Sequence, residues 1–171
     1  TAGGSSGGAA AAVVCGMGPL AQGSDGAGSI RIPASFSGAF GFKPSWGRVP
    51  QYPPSAVEVL SHMGPITRTV GDAALMMAVL AGSDPRDRTT LGNEVDFINA
   101  VEGGIEGLTV GWSLDLGYVP VAQDVENLCR LAARRFEELG CSIEVFDPGL
   151  DDPYDEILSV IWASAFAGVH L

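Results

Sequence analysis

Two glycine-rich segments close to Thr1 constrain this chain more than any other feature. Residues 3–8 read Gly-Gly-Ser-Ser-Gly-Gly and residues 23–29 read Gly-Ser-Asp-Gly-Ala-Gly-Ser, with an Ala/Val-rich stretch between them that predicts a short helix. Glycine permits close backbone approach and positive φ, and it leaves successive amide N–H groups free to point into one concavity. A serine hydroxyl beside such amides supplies a nucleophile and an oxyanion-binding site. The alternative is two flexible turns that bracket a helix.

Composition predicts one globular domain and excludes several kinds of partner. The chain has 171 residues, of which 46% are hydrophobic, and this is enough to build a core. The formal net charge is −11 and Lys43 is the only lysine, so direct binding to nucleic acid or to an anionic membrane is not expected. No apolar run reaches membrane-spanning length.

The three cysteines and two histidines predict no metal or disulfide framework. Cys15, Cys129 and Cys141 are odd in number and lie in apolar contexts, which is typical of reduced core residues in a cytoplasmic protein. A Ser–His–Asp hydrolase would need His62 or His170 as its base, and neither lies in a matching motif. The Gly23–Ser29 segment also lacks the Gly-Lys-Ser/Thr ending of a phosphate-binding loop.

The hydrophobic periodicity of the chain predicts an α/β domain. Thr69 and Asp72 form a capping-box pattern at the start of a helix, and Met63-Gly64-Pro65 is typical of a turn. A strand, a helix and a second strand then follow one another, which indicates a βαβ-like unit. The predicted elements are a helix at Thr69–Leu80, a buried strand at Leu108–Trp112, a helix at Asp124–Leu139 whose apolar stripe contains Val125, Leu128, Ala132, Phe136 and Leu139, a strand at Ser142–Phe146, and a last helix that begins at Asp152 and Pro153.

The two glycine-rich segments resemble the signature of the amidase signature family of serine hydrolases. The likeness covers residues 3–8 and 23–34, and it continues at residues 41–50, 64–74 and 84–87. The resemblance implies an α/β fold in which a mixed β-sheet is sandwiched by helices. It also implies hydrolysis of a carboxamide C–N bond by a Ser-Ser-Lys triad that passes through an acyl-enzyme.

The resemblance assigns the catalytic roles residue by residue. Ser29 matches the nucleophile, and Ser5 matches the bridging serine, which the family holds in a cis peptide with the preceding glycine. The family's oxyanion donors match the backbone amides of Gly26, Ala27, Gly28 and Ser29. The positions that support this loop are matched by Ser6, Asp25 and Arg31.

The lysine of the family triad has no counterpart among these residues. In the family it lies upstream of the first glycine turn, whereas Lys43 matches a different, non-catalytic position. We therefore expect the 171 residues to be a single-domain fragment of a larger amidase domain, truncated at both ends, with its catalytic lysine outside this chain.

The expected partner is a small-molecule amide, and no metal or organic cofactor is implied. Within the family, a glutaminase-type amidotransferase subunit is the alternative, although that subclass tends to carry glutamine where this chain has Ile32. A catalytically inactive fragment that persists as a stable fold is the remaining alternative. Whether the protein forms a homo-oligomer is left open by the sequence.

Overall fold

The computed structural model describes residues 1–169, which form two compact units. The first comprises Thr1–Glu102 together with the chain from Ala165 onward, and the second comprises Gly103–Ser164. His170, one of the two histidines considered as a base, lies outside the described residues.

The first unit contains a three-stranded antiparallel sheet, four helices that lie wholly within Thr1–Glu102, and the end of the last helix of the chain. The sheet has the order β1-β3-β2, and Leu20 at the start of β1 lies opposite Thr67 at the end of β3. At the other end of this pair of strands, Asp25 lies opposite His62. The elements are α1 at Gly7–Val14, β1 at Leu20–Asp25, α2 at Arg31–Ser37, β2 at Phe40–Gly41, β3 at His62–Thr67, α3 at Val70–Leu80 and α4 at Phe97–Ala100.

The core of this unit lies directly beneath the two glycine turns. Ala10 of α1, Ile30 before α2 and Ile66 of β3 are fully buried and pack together. The small side chain of Ala10 lets α1 lie close to the sheet, and burial of the two isoleucines stabilises the fold by about 1.5–3 kcal/mol each. Helix α1, which follows the first glycine turn, therefore packs on β3, and β3 pairs with the strand β1 that leads into the second glycine turn.

The helix cap predicted at Thr69 is confirmed, but the Asp72 carboxylate bonds to the Thr69 hydroxyl and not to its amide, so the reciprocal half of the capping box is not formed. The Thr69 hydroxyl accepts a hydrogen bond from the Asp72 amide at 3.1 Å and donates one to the Asp72 carboxylate at 2.7 Å. The helix begins at Val70 and buries Ala73, Ala74 and Met77.

The prediction of a turn at Met63-Gly64-Pro65 is wrong, because these residues lie inside β3. A Cβ at Gly64 would lie 2.2 Å from the Phe42 carbonyl oxygen, so only glycine fits there. Pro65 has no amide hydrogen to donate, but its carbonyl accepts from the Phe42 amide at 3.1 Å. The two residues that suggest a turn thus mark the close approach of β2.

The second unit confirms the βαβ prediction. Strands β4 (Thr109–Trp112) and β5 (Ser142–Val145) pair in parallel, and α5 (Gln123–Glu138) connects them. The predicted last helix is also present, since a π-helical turn at Tyr154–Leu158 leads into α6 at Ser159–Val169.

The prediction that β4 is buried is wrong, and the apolar stripe of α5 is exposed. In α5 the residue that is buried is Ala133, while Leu128 in the predicted apolar stripe is 67% exposed. Strand β4 alternates between exposed and half-buried residues rather than being buried. A two-stranded sheet covered by a single helix has too few layers to enclose a larger apolar face.

The cysteines are unpaired, but they do not all lie in the core as predicted. Cys141 is buried and Cys129 is half-buried, whereas Cys15 is exposed because it follows the last residue of α1. Within residues 1–169, every helix is too short or too polar to cross a membrane.

Candidate active site

Ser6 joins the two glycine turns. Its backbone amide donates to the carbonyl oxygen of Ser29 at 3.1 Å, and its hydroxyl donates to the carbonyl oxygen of Ser24 at 3.4 Å. Ser5 directly precedes Ser6 in the chain, and the acceptor of the hydrogen bond from the Ser6 amide is Ser29 itself. The structure therefore brings the predicted bridging serine and the predicted nucleophile to one site.

The close approach of the turns depends on the absence of a side chain at Gly23. A Cβ at this position would lie 2.8 Å from the Ser6 hydroxyl oxygen and 2.9 Å from the Ile30 side chain. Both distances are shorter than ordinary contacts, so any larger residue would push Ser6 away from β1.

The peptide bond between Gly4 and Ser5 is cis, which is the isomer that the family resemblance implies. Ser5 is exposed and Ser29 is half-buried. Both serines lie in loop segments just before a helix, Ser5 before α1 and Ser29 before α2.

Asp25 organises the second turn through five hydrogen bonds. Its Oδ1 accepts from the Gly28 amide at 2.7 Å and from Arg31 Nη2 at 3.0 Å. Its Oδ2 accepts from the amides of Ile30 and Arg31 at 3.2 and 3.3 Å, and from Arg31 Nε at 2.9 Å. The carboxylate is completely buried, so these bonds replace its hydration.

These bonds keep Asp25 ionised. Burial by itself raises the pKa of the carboxyl, but the hydrogen bonds from the Arg31 side chain and from the amides of Gly28, Ile30 and Arg31 outweigh burial and hold the pKa well below its usual range. The same pairing raises the pKa of Arg31. Asp25 and Arg31 lie where a pair that supports the loop is expected.

Some backbone amides of the second turn are bonded to Asp25 and others have no protein acceptor. This difference reduces the number of predicted oxyanion donors. The Gly28 amide is already bonded to Asp25, so it is not free to donate to an oxyanion. Within the described residues, the amides of Gly26, Ala27 and Ser29 have no protein acceptor. Gly28 instead supplies the backbone geometry of the turn, with a φ of +111°.

The side chain at Ala27, where the family often has glycine, causes no backbone conflict. In the described part of the chain, Leu116 is the only residue other than glycine with positive φ. Ala27 therefore lies outside the left-handed region, and its methyl group is compatible with the turn.

Lys43 contacts His62 rather than a serine. Its Nζ lies 3.3 Å from His62 Nε2, and His62 Nδ1 lies 2.7 Å from the Leu60 carbonyl oxygen. Both ring nitrogens therefore have partners other than a serine hydroxyl, which argues against a Ser–His–Asp arrangement. Sequence analysis missed this contact, because it results from the pairing of strands and not from any local pattern.

No metal centre is apparent among the residues that the structure describes. They contain no group of three or more His, Cys, Asp or Glu side chains placed to hold an ion. The titratable groups beside the glycine turns are Asp25, Arg31, Lys43 and His62, and each has a protein partner.

Comparison with known proteins relates this geometry to a family. The family model described as Amidase matches residues 1–171. The acylamidase of Rhodococcus erythropolis is 44% identical over 172 residues, covering 99% of this chain and 36% of that protein.

Solved structures agree with this relationship. A bacterial aryl acylamidase of the amidase signature enzymes has a TM-score of 0.90 at 44% identity, over 99% of this chain and 35% of its own. A glutamyl-tRNA(Gln) amidotransferase subunit from Thermotoga maritima has a TM-score of 0.84 at 34% identity, over 98% of this chain and 38% of its own. The chain thus spans little more than a third of the length of these relatives, and it belongs to the amidase signature family.

Proposed function

We propose that this chain carries the nucleophilic half of an amidase that hydrolyses a carboxamide C–N bond through an acyl-enzyme on Ser29. The observation that supports this most is the hydrogen bond from the Ser6 amide to the Ser29 carbonyl, which joins the two serine-bearing turns. The free amides of Gly26, Ala27 and Ser29 lie in the same turn as the nucleophile. A nucleophile beside free amide donors is what acyl transfer requires.

In the proposed reaction the Ser29 hydroxyl oxygen attacks the carbonyl carbon of the amide, and its proton is relayed through the Ser5 hydroxyl to the base. The amides of Gly26, Ala27 and Ser29 donate to the oxygen of the tetrahedral intermediate. The intermediate collapses with cleavage of the C–N bond, and the leaving amine receives a proton through Ser5. Water then attacks the ester on Ser29 and releases the acid.

We propose that the base is a lysine outside these 171 residues, as in the family triad. Lys43 is the only lysine in the chain, and it is bonded to His62 instead. The mechanism needs no metal or organic cofactor. We also propose that both compact units belong to one larger amidase domain, since the family model matches residues 1–171 without interruption.

The proposed substrate is a small-molecule amide. A relative named acylamidase is 44% identical, and Ile32 stands where glutaminase subunits tend to carry glutamine. A glutaminase-type amidotransferase subunit is the second candidate, supported by the TM-score of 0.84 with the Thermotoga maritima protein. With a net charge of −11, such a protein would rely on partner subunits to hold RNA. The three unpaired cysteines support a cytoplasmic location.

Removal of the nucleophile tests the proposed reaction in the protein at its natural length. We expect Ser29→Ala to lower kcat by about 10⁴-fold or more, and Ser5→Ala to lower it by about 10²- to 10⁴-fold because only proton transfer is impaired. Ser35→Ala is the matched control, since Ser35 is an exposed serine of α2. Turnover of simple aryl and alkyl amides and of glutamine, with circular dichroism to verify folding, measures the effect.

Labelling by a serine-reactive fluorophosphonate distinguishes the inactive alternative. We expect the wild-type protein to be labelled and Ser29→Ala to remain unlabelled. Wild-type turnover in Ser29→Ala would contradict the assignment of the nucleophile, and a wild-type protein that neither turns over amides nor accepts the label would indicate a non-catalytic fold.

A further inference from the structure

The contact between Lys43 and His62 defines the tautomer of the imidazole. The Leu60 carbonyl can only accept a hydrogen bond, so His62 Nδ1, at 2.7 Å from it, carries the ring proton. The lone pair of the neutral ring is then on Nε2, which lies 3.3 Å from Lys43 Nζ. The Lys43 ammonium donates to this lone pair. Both side chains are half-buried, so water can only partly replace His62 as the hydrogen-bond acceptor of Lys43.

This pair lies beside the carboxylate that shapes the second glycine turn. His62 begins β3 directly opposite Asp25, and Lys43 follows β2 on the other side of β3. Burial lowers the pKa of Lys43, repulsion from Arg31 lowers it further, and attraction to Asp25 opposes the change. The ionisable groups at this place are therefore Asp25 of β1, Arg31 of α2, Lys43 after β2 and His62 of β3.

The position of Lys43 matters because Asp25 is a single carboxylate with two basic neighbours. Arg31 holds Asp25 by two hydrogen bonds from its guanidinium, while Lys43 Nζ contacts His62 Nε2. An ammonium that lost its acceptor would compete with Arg31 for Asp25, whose other bonds fix the amides before α2.

We propose that His62 is a positioning residue of the amidase reaction: by accepting a hydrogen bond from Lys43, it keeps the Lys43 ammonium from disturbing the Asp25–Arg31 pair that shapes the oxyanion turn. This inference rests on the proposed function. It predicts that acylation weakens when position 62 no longer offers Lys43 an acceptor.

Substitutions at position 62 in the protein at its natural length test this role. His62→Leu removes the acceptor, and we expect kcat to fall about tenfold while KM changes less than about threefold. His62→Gln supplies an amide oxygen that accepts from Lys43 without titrating, so we expect kcat to return to within about threefold of wild type. Equal losses in the two variants would overturn the proposal, because the acceptor would then not matter.

A Lys43→Met background supplies a readout that simple packing would not change. In that background we expect His62→Leu and His62→Gln to have kcat values within about twofold of each other, since there is no ammonium to hold. A difference between the two variants that persists without Lys43 would overturn the proposal.

The Ser29→Ala variant separates this inference from the proposed function. If Ser29→Ala retains turnover, the proposed reaction itself is wrong. If Ser29→Ala is inactive and His62→Leu has wild-type kcat, the reaction stands and the positioning role of His62 is wrong.

Discussion

The two compact units differ sharply in how much they bury. Of the apolar side chains that are buried in the described residues, nearly all lie within Thr1–Glu102, whereas Gly103–Ser164 contributes Ala133 and Cys141. The buried polar side chains Asp25, Thr67 and Asp87 also lie in the first unit. This difference indicates that the glycine turns need a rigid support, because close backbone approach and a buried carboxylate are stable only where neighbouring atoms are fixed.

The largest effect on stability is expected from the core under the glycine turns. Ile66→Ala removes a fully buried side chain that packs on Ala10 and Ile30, and it should lower the free energy of unfolding by about 3 kcal/mol. Urea denaturation of the protein at its natural length measures the loss. Ile66→Val is the conservative control, expected to cost about 1 kcal/mol. A smaller loss of unfolding free energy in Ile66→Ala than in Ile66→Val would show that the first unit does not depend on its buried core.

A somewhat smaller loss is expected at Asp25. Asp25→Asn removes the charge that accepts from Arg31 and leaves buried donors without a full partner, so we expect a loss of about 2–3 kcal/mol at neutral pH. Asp84→Asn is the matched control, because Asp84 also pairs with an arginine, Arg86, but is not deeply buried. We expect a much smaller change there. Equal losses of unfolding free energy in Asp25→Asn and Asp84→Asn would show that the burial of Asp25 does not increase the contribution of its ion pair to stability.

The effect of Asp25→Asn should depend on pH in a defined direction. Because the folded pKa of Asp25 lies below its unfolded value, its contribution is complete above about pH 4 and is lost as the pH falls further. The difference in unfolding free energy between wild type and variant should therefore shrink below about pH 4, by up to about 1.4 kcal/mol per pH unit. A difference that stays constant or grows there would contradict the ionised state of Asp25.

The smallest predicted effect compares a helix cap in the first unit with a surface ion pair in the second. Thr69→Ala removes the cap of α3 and should cost about 1 kcal/mol. Arg135→Gln removes an exposed ion pair with Glu138 and should have no measurable effect on the denaturation midpoint. A larger loss at Arg135 than at Thr69 would reverse the comparison.

Sequence reasoning succeeds where short-range rules apply and fails where strand pairing decides. The Thr69 cap and the strand-helix-strand unit follow from local patterns and are confirmed. Strand β3 escapes prediction because Gly64 and Pro65 are typical of turns, and only the nearby Phe42 carbonyl explains the glycine. The apolar stripe of α5 predicts a buried face, but periodicity alone does not say whether another layer covers it.

The site shows the same division. The family resemblance points to Ser5, Ser29, Asp25 and Arg31, and the structure places these residues around the two joined turns. Their catalytic roles remain predictions. The engagement of the Gly28 amide by Asp25 and the contact of Lys43 with His62 depend on three-dimensional packing, so no sequence pattern signals them.

The hydrogen bond between the Ser6 amide and the Ser29 carbonyl has a mechanical consequence. It connects the backbone of one glycine turn to that of the other, and both turns lie next to the buried cluster of Ala10, Ile30 and Ile66. We therefore expect thermal fluctuations to displace the two turns together. The separation of the Ser5 and Ser29 hydroxyls is then governed mainly by side-chain rotation, which is far faster than the movement of loops.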